Sequence, residues 1–282
     1  MLRSSPGTPI LAAALIAASA TAAPATGPGA ADWRPVDAQN TLVIDTSQGR
    51  VIVELYPEVA PAAVAQVEAL ARQHFYDGLT FFRVIDGFMD QTGDPQNNGK
   101  GASSLPNLEA EFDFRYAPRT DLGMTELMPI PGGALGFVGA LPVAGQPDAM
   151  AALTVDGKVR GVGLFCAGVM GMARAQDPDS ANSQFFLMRG EQPDLNDKYT
   201  PVGRVVSGMA AVRAIKTGDP VPDPKDRMVS VQVLADMPAG ARPDVRVLDT
   251  GSAYFKAEAA KQRAAKGDNF DPCDLDVPSQ GG

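Results

Sequence analysis

The sequence is poor in the side chains that most catalytic and metal sites use. Its 282 residues include one His, at position 74, and two Cys, at positions 166 and 273. A zinc site, or a Ser-His-Asp or Cys-His catalytic unit, is hard to assemble from so few of these residues. The sequence also has neither the G-x-S-x-G motif of many hydrolases nor the P-loop motif of nucleotide enzymes. We therefore expect no metal and no cofactor.

Basic residues are in deficit as well. The chain has 24 Lys and Arg against 33 Asp and Glu, which gives a formal net charge of −9. Nucleic-acid binding generally needs clustered basic residues for the phosphate contacts, and no such cluster is visible. We therefore expect no nucleic-acid partner.

Long apolar runs are lacking except near the N-terminus. There Arg3 precedes an uncharged run from Ile10 to Ala20, and Ala20-Thr21-Ala22 is an A-x-A cleavage pattern. The alternative, a transmembrane anchor, needs about 20 apolar residues, and this run is shorter and is followed by Pro and Gly. We predict a signal peptide over residues 1–23, export across the inner membrane, a periplasmic location in a Gram-negative source, and no stable membrane insertion after cleavage.

The two cysteines leave two alternatives open. Cys166 and Cys273 could pair in an oxidising compartment, where disulfides persist. Alternatively, one is a buried thiol and the other a thiol in the tail. The sequence does not give the distance that would decide between them.

Short alternating segments dominate the middle of the chain. Thr41 to Thr46 and Arg50 to Tyr56 alternate apolar and polar residues around Gln48-Gly49, which predicts a hairpin. Apolar residues at helical spacing predict a helix from Pro61 to Arg72, and Ser207 is predicted to cap a second helix through Ile215. Further strands are predicted over 80–85, 88–91, 169–173, 184–188, 202–206 and 228–234. The pattern favours a closed or sandwiched β core over alternating βαβ units.

Three regions fit this core poorly. Residues 24–39 are predicted to form a flexible leader, with Trp33 contacting the surface. Residues 119–164 are rich in Gly and Pro and are predicted to form an inserted surface loop or hairpin, with a tight turn at Val155–Lys158. Residues 238–282 are predicted to form a C-terminal extension with a strand at Val245–Leu248 and a helix over 252–266.

Three ordered blocks carry a resemblance to a known family. The first runs from Phe81 to Asp94 (FFRVIDGFMDQTGD), the second joins 172–175 (MARA) to 179–186 (DSANSQFF), and the third runs from Leu195 to Val205 (LNDKYTPVGRV). Together they resemble the cyclophilin family of peptidyl-prolyl cis-trans isomerases. The resemblance implies a mainly β fold, a cyclophilin-like eight-stranded antiparallel closed barrel capped by two α-helices, over residues 40–237.

The resemblance implies an isomerase that rotates X-Pro bonds in proline-containing unfolded or flexible polypeptides and so assists the folding of secreted proteins. The rotation barrier of about 18–20 kcal/mol comes from resonance between nitrogen and carbonyl. Lowering it needs a fixed donor that stabilises the twisted amide and an apolar pocket that holds the proline ring. It needs no nucleophile, metal or redox cofactor, which suits a chain with one His.

Arg83 is the candidate catalytic residue, because it occupies the position of the family's catalytic Arg and offers several N–H groups in a rigid fork. Without the surrounding motif, an Arg on a strand would be interpreted as a solvated or paired surface charge. The resemblance also implies a set of substrate-binding residues. They are Phe88, Met89, Gln91, Ala173, Arg174, Ala175, Gln184, Phe186, Leu195 and Tyr199.

The chain departs from the family pattern at several positions. Phe82 stands where the family often has His, and Tyr199 stands where many members have His and others Tyr. Arg174 replaces a frequent Asn and would add positive charge to the groove. Asp194 stands where cyclosporin-sensitive members have Trp, so tight cyclosporin binding is not expected.

Two rival interpretations remain. One is a non-catalytic proline-binding chaperone, and the other is an envelope scaffold that docks a partner through its extensions. A further hypothesis is that the insertion overhangs the cleft and alters which polypeptides enter.

Overall fold

The structure is a computed structural model that describes Met1 and residues 27–118 and 124–281. The predicted signal peptide therefore lies outside the described residues, apart from Met1. Within the described ranges the chain forms the helices α1 (Pro61–Arg72), α2 (Met209–Ala214) and α3 (Ala253–Lys266). The strands in the same ranges are β1 (Trp33–Pro35), β2 (Thr41–Thr46), β3 (Gly49–Leu55), β4 (Arg83–Ile85), β5 (Met89–Thr92), β6 (Asp113–Tyr116), β7 (Thr125–Ile130), β8 (Gly133–Val138), β9 (Leu141–Gly145), β10 (Val159–Gly163), β11 (Val169–Met172), β12 (Phe185–Met188), β13 (Pro201–Ser207), β14 (Met228–Val233), β15 (Arg246–Leu248) and β16 (Ser279–Gln280). Among these residues, none of the helices has both the length and the apolar character needed to cross a bilayer.

Eight antiparallel strands form the main sheet, in the order β14-β2-β3-β13-β11-β12-β5-β4. The sheet curls until its two edge strands approach each other. There Leu79 accepts from the N–H of Met228 at 2.9 Å, and Thr80 and Arg227 form an isolated bridge. The prediction of a mainly β, cyclophilin-like antiparallel barrel is confirmed, although the closure is only partial.

The two helices predicted beside the barrel are both present. In α1, Val64, Val67 and Leu70 are buried in the core, and the carboxylate of Glu111 accepts from the N–H groups at the start of this helix. The predicted boundary of α2 was wrong, because the residue before its first turn is Gly208 and not Ser207. Gly208 has φ 93°, and a Cβ there would overlap the carbonyl oxygen of Arg50. The chain therefore needs glycine at this cap.

Five strands form a second antiparallel sheet, in the order β6-β10-β9-β8-β7. We call it the inserted sheet. The prediction of a surface loop or hairpin over 119–164 was wrong, since residues 125–163 supply four of its strands. The predicted turn at Val155–Lys158 leads from a 3-10 segment into β10 and does not join two strands. Phe137 and Leu141 of this sheet are fully buried in one cluster with Ile52 of the barrel, so the insertion is packed and not looped out.

The leader and the C-terminal extension form a third sheet, in the order β1-β15-β16. The leader is thus not a flexible segment over its described part, because Trp33–Pro35 pair with β15. The predicted strand and helix of the extension are both present. Ser252 caps α3 by accepting from the N–H of Phe255, and the Phe255 ring packs edge-on against Phe137 at 5.4 Å.

Cys166 and Cys273 form a disulfide, with their Cα atoms 5.1 Å apart. Of the two alternatives left open by the sequence, the structure has the paired one. The bond joins the segment after the inserted sheet to the C-terminal extension, across 107 positions of sequence.

Candidate active site

A cavity of about 130 Å³ opens on the outer face of the barrel between β4, β5, β12 and the loop before β13. The blocks that carry the family resemblance supply its lining. The lining residues are Arg83, Phe88, Met89, Gln91, Ala173, Arg174, Phe186, Leu195 and Tyr199. The two remaining candidates, Ala175 and Gln184, line an adjoining cavity of about 310 Å³. All the predicted site residues therefore lie in one continuous depression.

Strand register explains why residues far apart in sequence meet here. Gln91 of β5 lies directly opposite Arg83 of β4 on one side and opposite Phe186 of β12 on the other. Directly opposed residues of antiparallel strands share a face of the sheet. Phe186 in turn lies opposite Gly171, where a Cβ would lie 2.7 Å from the Phe186 ring. Glycine at 171 therefore leaves room for the rings that line the cavity.

Arg83 is held at the rim of this cavity by two polar neighbours. Its Nε donates to Oδ2 of Asp219 at 3.1 Å, and its Nη1 donates to Oε1 of Gln91 at 3.4 Å. The guanidinium carbon lies 5.8 Å from the centre of the Phe88 ring. Nη2 makes no hydrogen bond to any described residue, so its N–H groups remain available to a ligand.

Gln91 belongs to a chain of side-chain hydrogen bonds along the cavity floor. Its Nε2 donates to Oε1 of Gln184 at 3.0 Å, and Nε2 of Gln184 donates to the carbonyl of Gly101 at 2.8 Å. The chain fixes which end of the Gln91 amide faces Arg83. The Gln91 oxygen therefore faces the guanidinium, and its nitrogen faces the adjoining cavity.

The apolar side of the cavity is built from packed rings. The Phe186 ring contacts Tyr199 edge-on at 5.9 Å and Phe165 at 5.8 Å. Phe165 was not predicted, because it lies outside the matched blocks and only tertiary packing brings it here. Its backbone is also tied to the loop that carries Leu195, through a 2.8 Å bond from its N–H to Oδ1 of Asn196.

Arg174 lies between two aromatic rings instead of extending freely into the groove. Its guanidinium carbon is 4.5 Å from the Tyr199 ring centre and 5.4 Å from that of Phe112. Its Nε and Nη1 donate to main-chain carbonyls, those of Lys198 and Ala175 among them. The residue therefore holds Tyr199 against the cavity while leaving its positive charge at the boundary of the two cavities.

The adjoining cavity adds polar residues that sequence reasoning missed. Lys100, Asn107 and Asn182 line it together with Arg174. Asn182 stands inside the second matched block, but no local pattern distinguishes it from its neighbours. The described lining has two positive charges and no carboxylate.

The inserted sheet stands beside the site without lining it. None of the described residues between 124 and 164 borders either cavity. Contact is made through Arg160 of β10, which pairs with Asp113 at 2.9 Å and with Asp197 of the loop between Leu195 and Tyr199. The described part of the insertion therefore does not overhang the cleft. It contacts the loop that carries Leu195 and Tyr199.

The chemistry available in the smaller cavity follows from its lining. It offers an apolar wall for a small ring, an amide that can orient a peptide, and a guanidinium with unpaired N–H groups beside both. Its described lining contains no carboxylate, His or Cys. Such a site favours hydrogen bonding to a peptide over acid–base or nucleophilic attack.

Comparison with known proteins gives consistent results. The family described as cyclophilin type peptidyl-prolyl cis-trans isomerase/CLD matches residues 41–233. A probable peptidyl-prolyl cis-trans isomerase of Brucella suis is 37% identical over 205 residues, covering 71% of this chain and 85% of that protein. Peptidyl-prolyl cis-trans isomerase B of Bacillus subtilis is 31% identical over 170 residues, covering 60% of this chain and 85% of that protein. The crystal structure of the cyclophilin AquaCyp293 from Hirschia baltica is similar with a TM-score of 0.80 and 33% identity, over 88% of this chain and 93% of that one.

Proposed function

The chain belongs to the cyclophilin-type peptidyl-prolyl cis-trans isomerase family, and from that premise we propose that Arg83 is its catalytic donor and that secreted polypeptides are its clients. The protein is an isomerase of X-Pro peptide bonds and takes proline-containing peptides as substrates. The observation that carries the assignment of Arg83 is that its guanidinium, whose Nη2 makes no hydrogen bond to a described residue, lines the small cavity together with the apolar side chains of Phe88 and Phe186.

Rotation of an X-Pro bond breaks the conjugation between nitrogen and carbonyl, so the nitrogen lone pair becomes an acceptor in the twisted state. A guanidinium beside the proline ring can donate to that lone pair. This hydrogen bond is stronger in the twisted state than in either planar isomer, and only such differential interactions accelerate the reaction. Arg83 is suited to the role because its guanidinium stays protonated and planar.

The remaining candidate residues hold the substrate. Phe88, Met89, Phe186 and Leu195 offer the apolar surface on which a proline ring can rest. Gln91, fixed by Gln184, can hydrogen-bond the peptide main chain and keep one side of the bond still while the other side rotates. The reaction needs this orientation, because one side of the X-Pro bond must stay fixed while the other side rotates.

Arg83→Ala tests the donor assignment. We expect kcat/KM for cis-to-trans conversion of a short X-Pro peptide to fall about 100-fold or more, the scale for removing one transition-state donor. Arg50→Ala is a matched control, since Arg50 is also a strand Arg paired with an Asp and its side chain is 39% exposed against 35% for Arg83. Wild-type activity in Arg83→Ala would refute the assignment. An equal loss in both variants would refute it as well.

Export to the periplasm is the second part of the proposal. It is supported by the signal-like N-terminal sequence and by the disulfide between Cys166 and Cys273, because disulfides persist mainly in oxidising compartments. Fractionation of a Gram-negative host that expresses the full chain should recover a periplasmic protein lacking residues 1–23. Recovery of the uncleaved chain in the cytoplasm would overturn this part and leave the catalytic assignment intact.

A further inference from the structure

We propose that Asp219 is a positioning residue for the isomerase reaction: it orients the guanidinium of Arg83 toward the bound X-Pro bond. The inference rests on the proposed role of Arg83 as donor. Asp219 lies outside the matched blocks and 136 positions further along the chain. Oδ2 of Asp219 accepts from Nε of Arg83 at 3.1 Å.

The loop that carries Asp219 is fastened along the free edge of β4. Val84 and Gly218 exchange two backbone hydrogen bonds of 2.8 Å each, and the N–H of Val221 donates to the carbonyl of Phe82 at 2.9 Å. These bonds join the residues on both sides of Arg83 to the residues on both sides of Asp219. The backbone register itself therefore sets Asp219 opposite Arg83.

Packing keeps the same loop from shifting. Val221 is 2% exposed and belongs to the barrel core. A Cβ at Gly218 would lie 2.7 Å from the Cα of Val221, so the turn is too tight for any other residue at 218. Lys216 closes the loop by donating from its backbone N–H to Asp226 and from Nζ to the carbonyl of Pro222. The position of the Asp219 carboxylate is thus built into the fold.

Two hydrogen bonds from different nitrogens are enough to fix the plane of a guanidinium. Asp219 holds Nε at 3.1 Å and Gln91 holds Nη1 at 3.4 Å, so the guanidinium is held at two different nitrogens. The Asp219 bond is the shorter and is charge-assisted. Without it, Arg83 would keep two long contacts of Nη1, to Gln91 at 3.4 Å and to the sulfur of Met89 at 4.0 Å, and could rotate about its outer torsions.

The carboxylate also has an electrostatic effect of opposite sign, because it offsets part of the positive charge on Arg83. Its side chain is 54% exposed, and solvent screens interactions between exposed charges strongly. Orientation therefore outweighs the charge, and removing the carboxylate lowers activity.

Asp219→Asn and Asp219→Glu, measured beside Asp223→Asn, test the inference. Asp223 is the matched control, because it is a second Asp-Pro of the same loop and pairs with Lys225 instead of Arg83. We expect Asp219→Asn to lower kcat about tenfold with little change in KM, since small misplacement of a reacting group is costly. We expect Asp219→Glu to recover part of the loss and Asp223→Asn to leave activity unchanged. Unchanged or raised activity in Asp219→Asn would overturn the inference.

The same substitution in the Arg83→Ala background separates this inference from the donor assignment. If Asp219 acts through Arg83, Asp219→Asn has no effect once Arg83 is absent. An equal fold loss in both backgrounds would overturn the positioning role while sparing the donor. Failure of Arg83→Ala itself to lower activity would overturn the donor assignment.

If Asp219→Asn folds poorly, an NMR measurement on the wild-type protein still tests the inference. The Nε–H of an ion-paired Arg exchanges slowly with water and gives a separate NMR signal. We expect such a signal from Arg83, assigned by its loss in Arg83→Lys. An Nε–H signal averaged with those of solvent-exposed arginines would overturn the inference.

Discussion

The hydroxyl of Tyr56 accepts a hydrogen bond of 2.7 Å from the backbone N–H of Ala140, and so joins the barrel to the inserted sheet. The same hydroxyl donates to Oε2 of Glu54 at 2.6 Å. Glu54 also accepts two bonds from the guanidinium of Arg34, in the leader. Burial and the neighbouring Glu54 carboxylate raise the pKa of Tyr56 well above its usual range, so the hydroxyl keeps its proton. One buried network therefore connects leader, barrel and insertion.

Removing that hydroxyl should destabilise the whole chain. We expect Tyr56→Phe to lower the free energy of unfolding by about 1–3 kcal/mol, because the Ala140 N–H loses its partner inside the protein. Tyr116→Phe is the control, since Tyr116 is also buried and the hydrogen bond of its hydroxyl, among the described residues, is the weak one to the sulfur of Met124 at 3.7 Å. Urea denaturation of the two variants measures the difference. Equal losses would show that the network is not what joins the insertion to the barrel.

The disulfide should contribute more to the free energy of unfolding than the Tyr56 hydroxyl does. The bond between Cys166 and Cys273 spans 107 positions, and cross-links over long loops restrict the unfolded chain strongly. We expect Cys166→Ala with Cys273→Ala to lower the free energy of unfolding by about 2–5 kcal/mol. A reducing agent should destabilise the wild type and leave the double variant unchanged. A wild type as stable under reducing conditions as under oxidising ones would contradict the prediction.

The barrel could be predicted because its segments satisfy local rules. The predicted bounds of β2, Thr41–Thr46, and of α1, Pro61–Arg72, match the structure, since alternation and helical spacing decide those elements. The inserted sheet could not be predicted in this way. Its strands contain Gly133 and Gly136, and a Cβ at either would overlap a carbonyl of the neighbouring strand. Glycine is needed at these positions because the strands approach each other closely. In the sequence, however, the same glycines suggest a loop.

The candidate site likewise contains residues that could be predicted from the sequence and residues that could not. Arg83, Gln91 and Phe186 lie within blocks whose strand register is continuous, so the resemblance sufficed to bring them together. Asp219 and Phe165 reach the site through a loop and a turn whose approach depends on the finished barrel. Neither residue is marked by any local pattern.

A buried ion pair behind the site makes stability depend on pH. Nε of Arg189 donates to Oδ1 of Asp90 at 2.5 Å, while Oδ2 of Asp90 is buried with no partner among the described residues. Burial raises the pKa of Asp90 to about 7, and the charge of Arg189 offsets only part of that rise.

The folded state therefore holds the Asp90 proton more tightly than the unfolded chain, whose Asp pKa is about 3.9. The stabilising contribution is fully present below about pH 4 and is lost as the pH rises toward 7 and above. We expect the free energy of unfolding to fall between about pH 4 and pH 7, and to fall less in Asp90→Asn. Denaturation at several pH values measures both slopes. Parallel slopes in the two proteins would contradict the raised pKa.

The loop between Leu195 and Tyr199, which we call the pocket loop, contacts the inserted sheet, and this contact should affect substrate binding more than stability. Arg160 pairs with Asp197, and Asp197 lies between Leu195 and Tyr199 with a left-handed φ of 59°. The partners are 41% and 49% exposed, so their pairing contributes little to stability. Its loss should, however, loosen the loop that presents Leu195 and Tyr199 to the proline ring. We expect Arg160→Ala to raise KM about two- to fivefold, the equivalent of one exposed ion pair, with kcat nearly unchanged.

Arg115 provides the control for this last prediction. It lies directly opposite Arg160 on β6 and pairs with Asp156, away from the pocket loop. Its side chain is 43% exposed against 41% for Arg160, so Arg115→Ala removes a similar surface ion pair from the same sheet. If both variants raise KM equally, the effect comes from general loosening of the inserted sheet. If only Arg160→Ala does, the insertion acts on the substrate through the Asp197 loop, without itself lining the cavity.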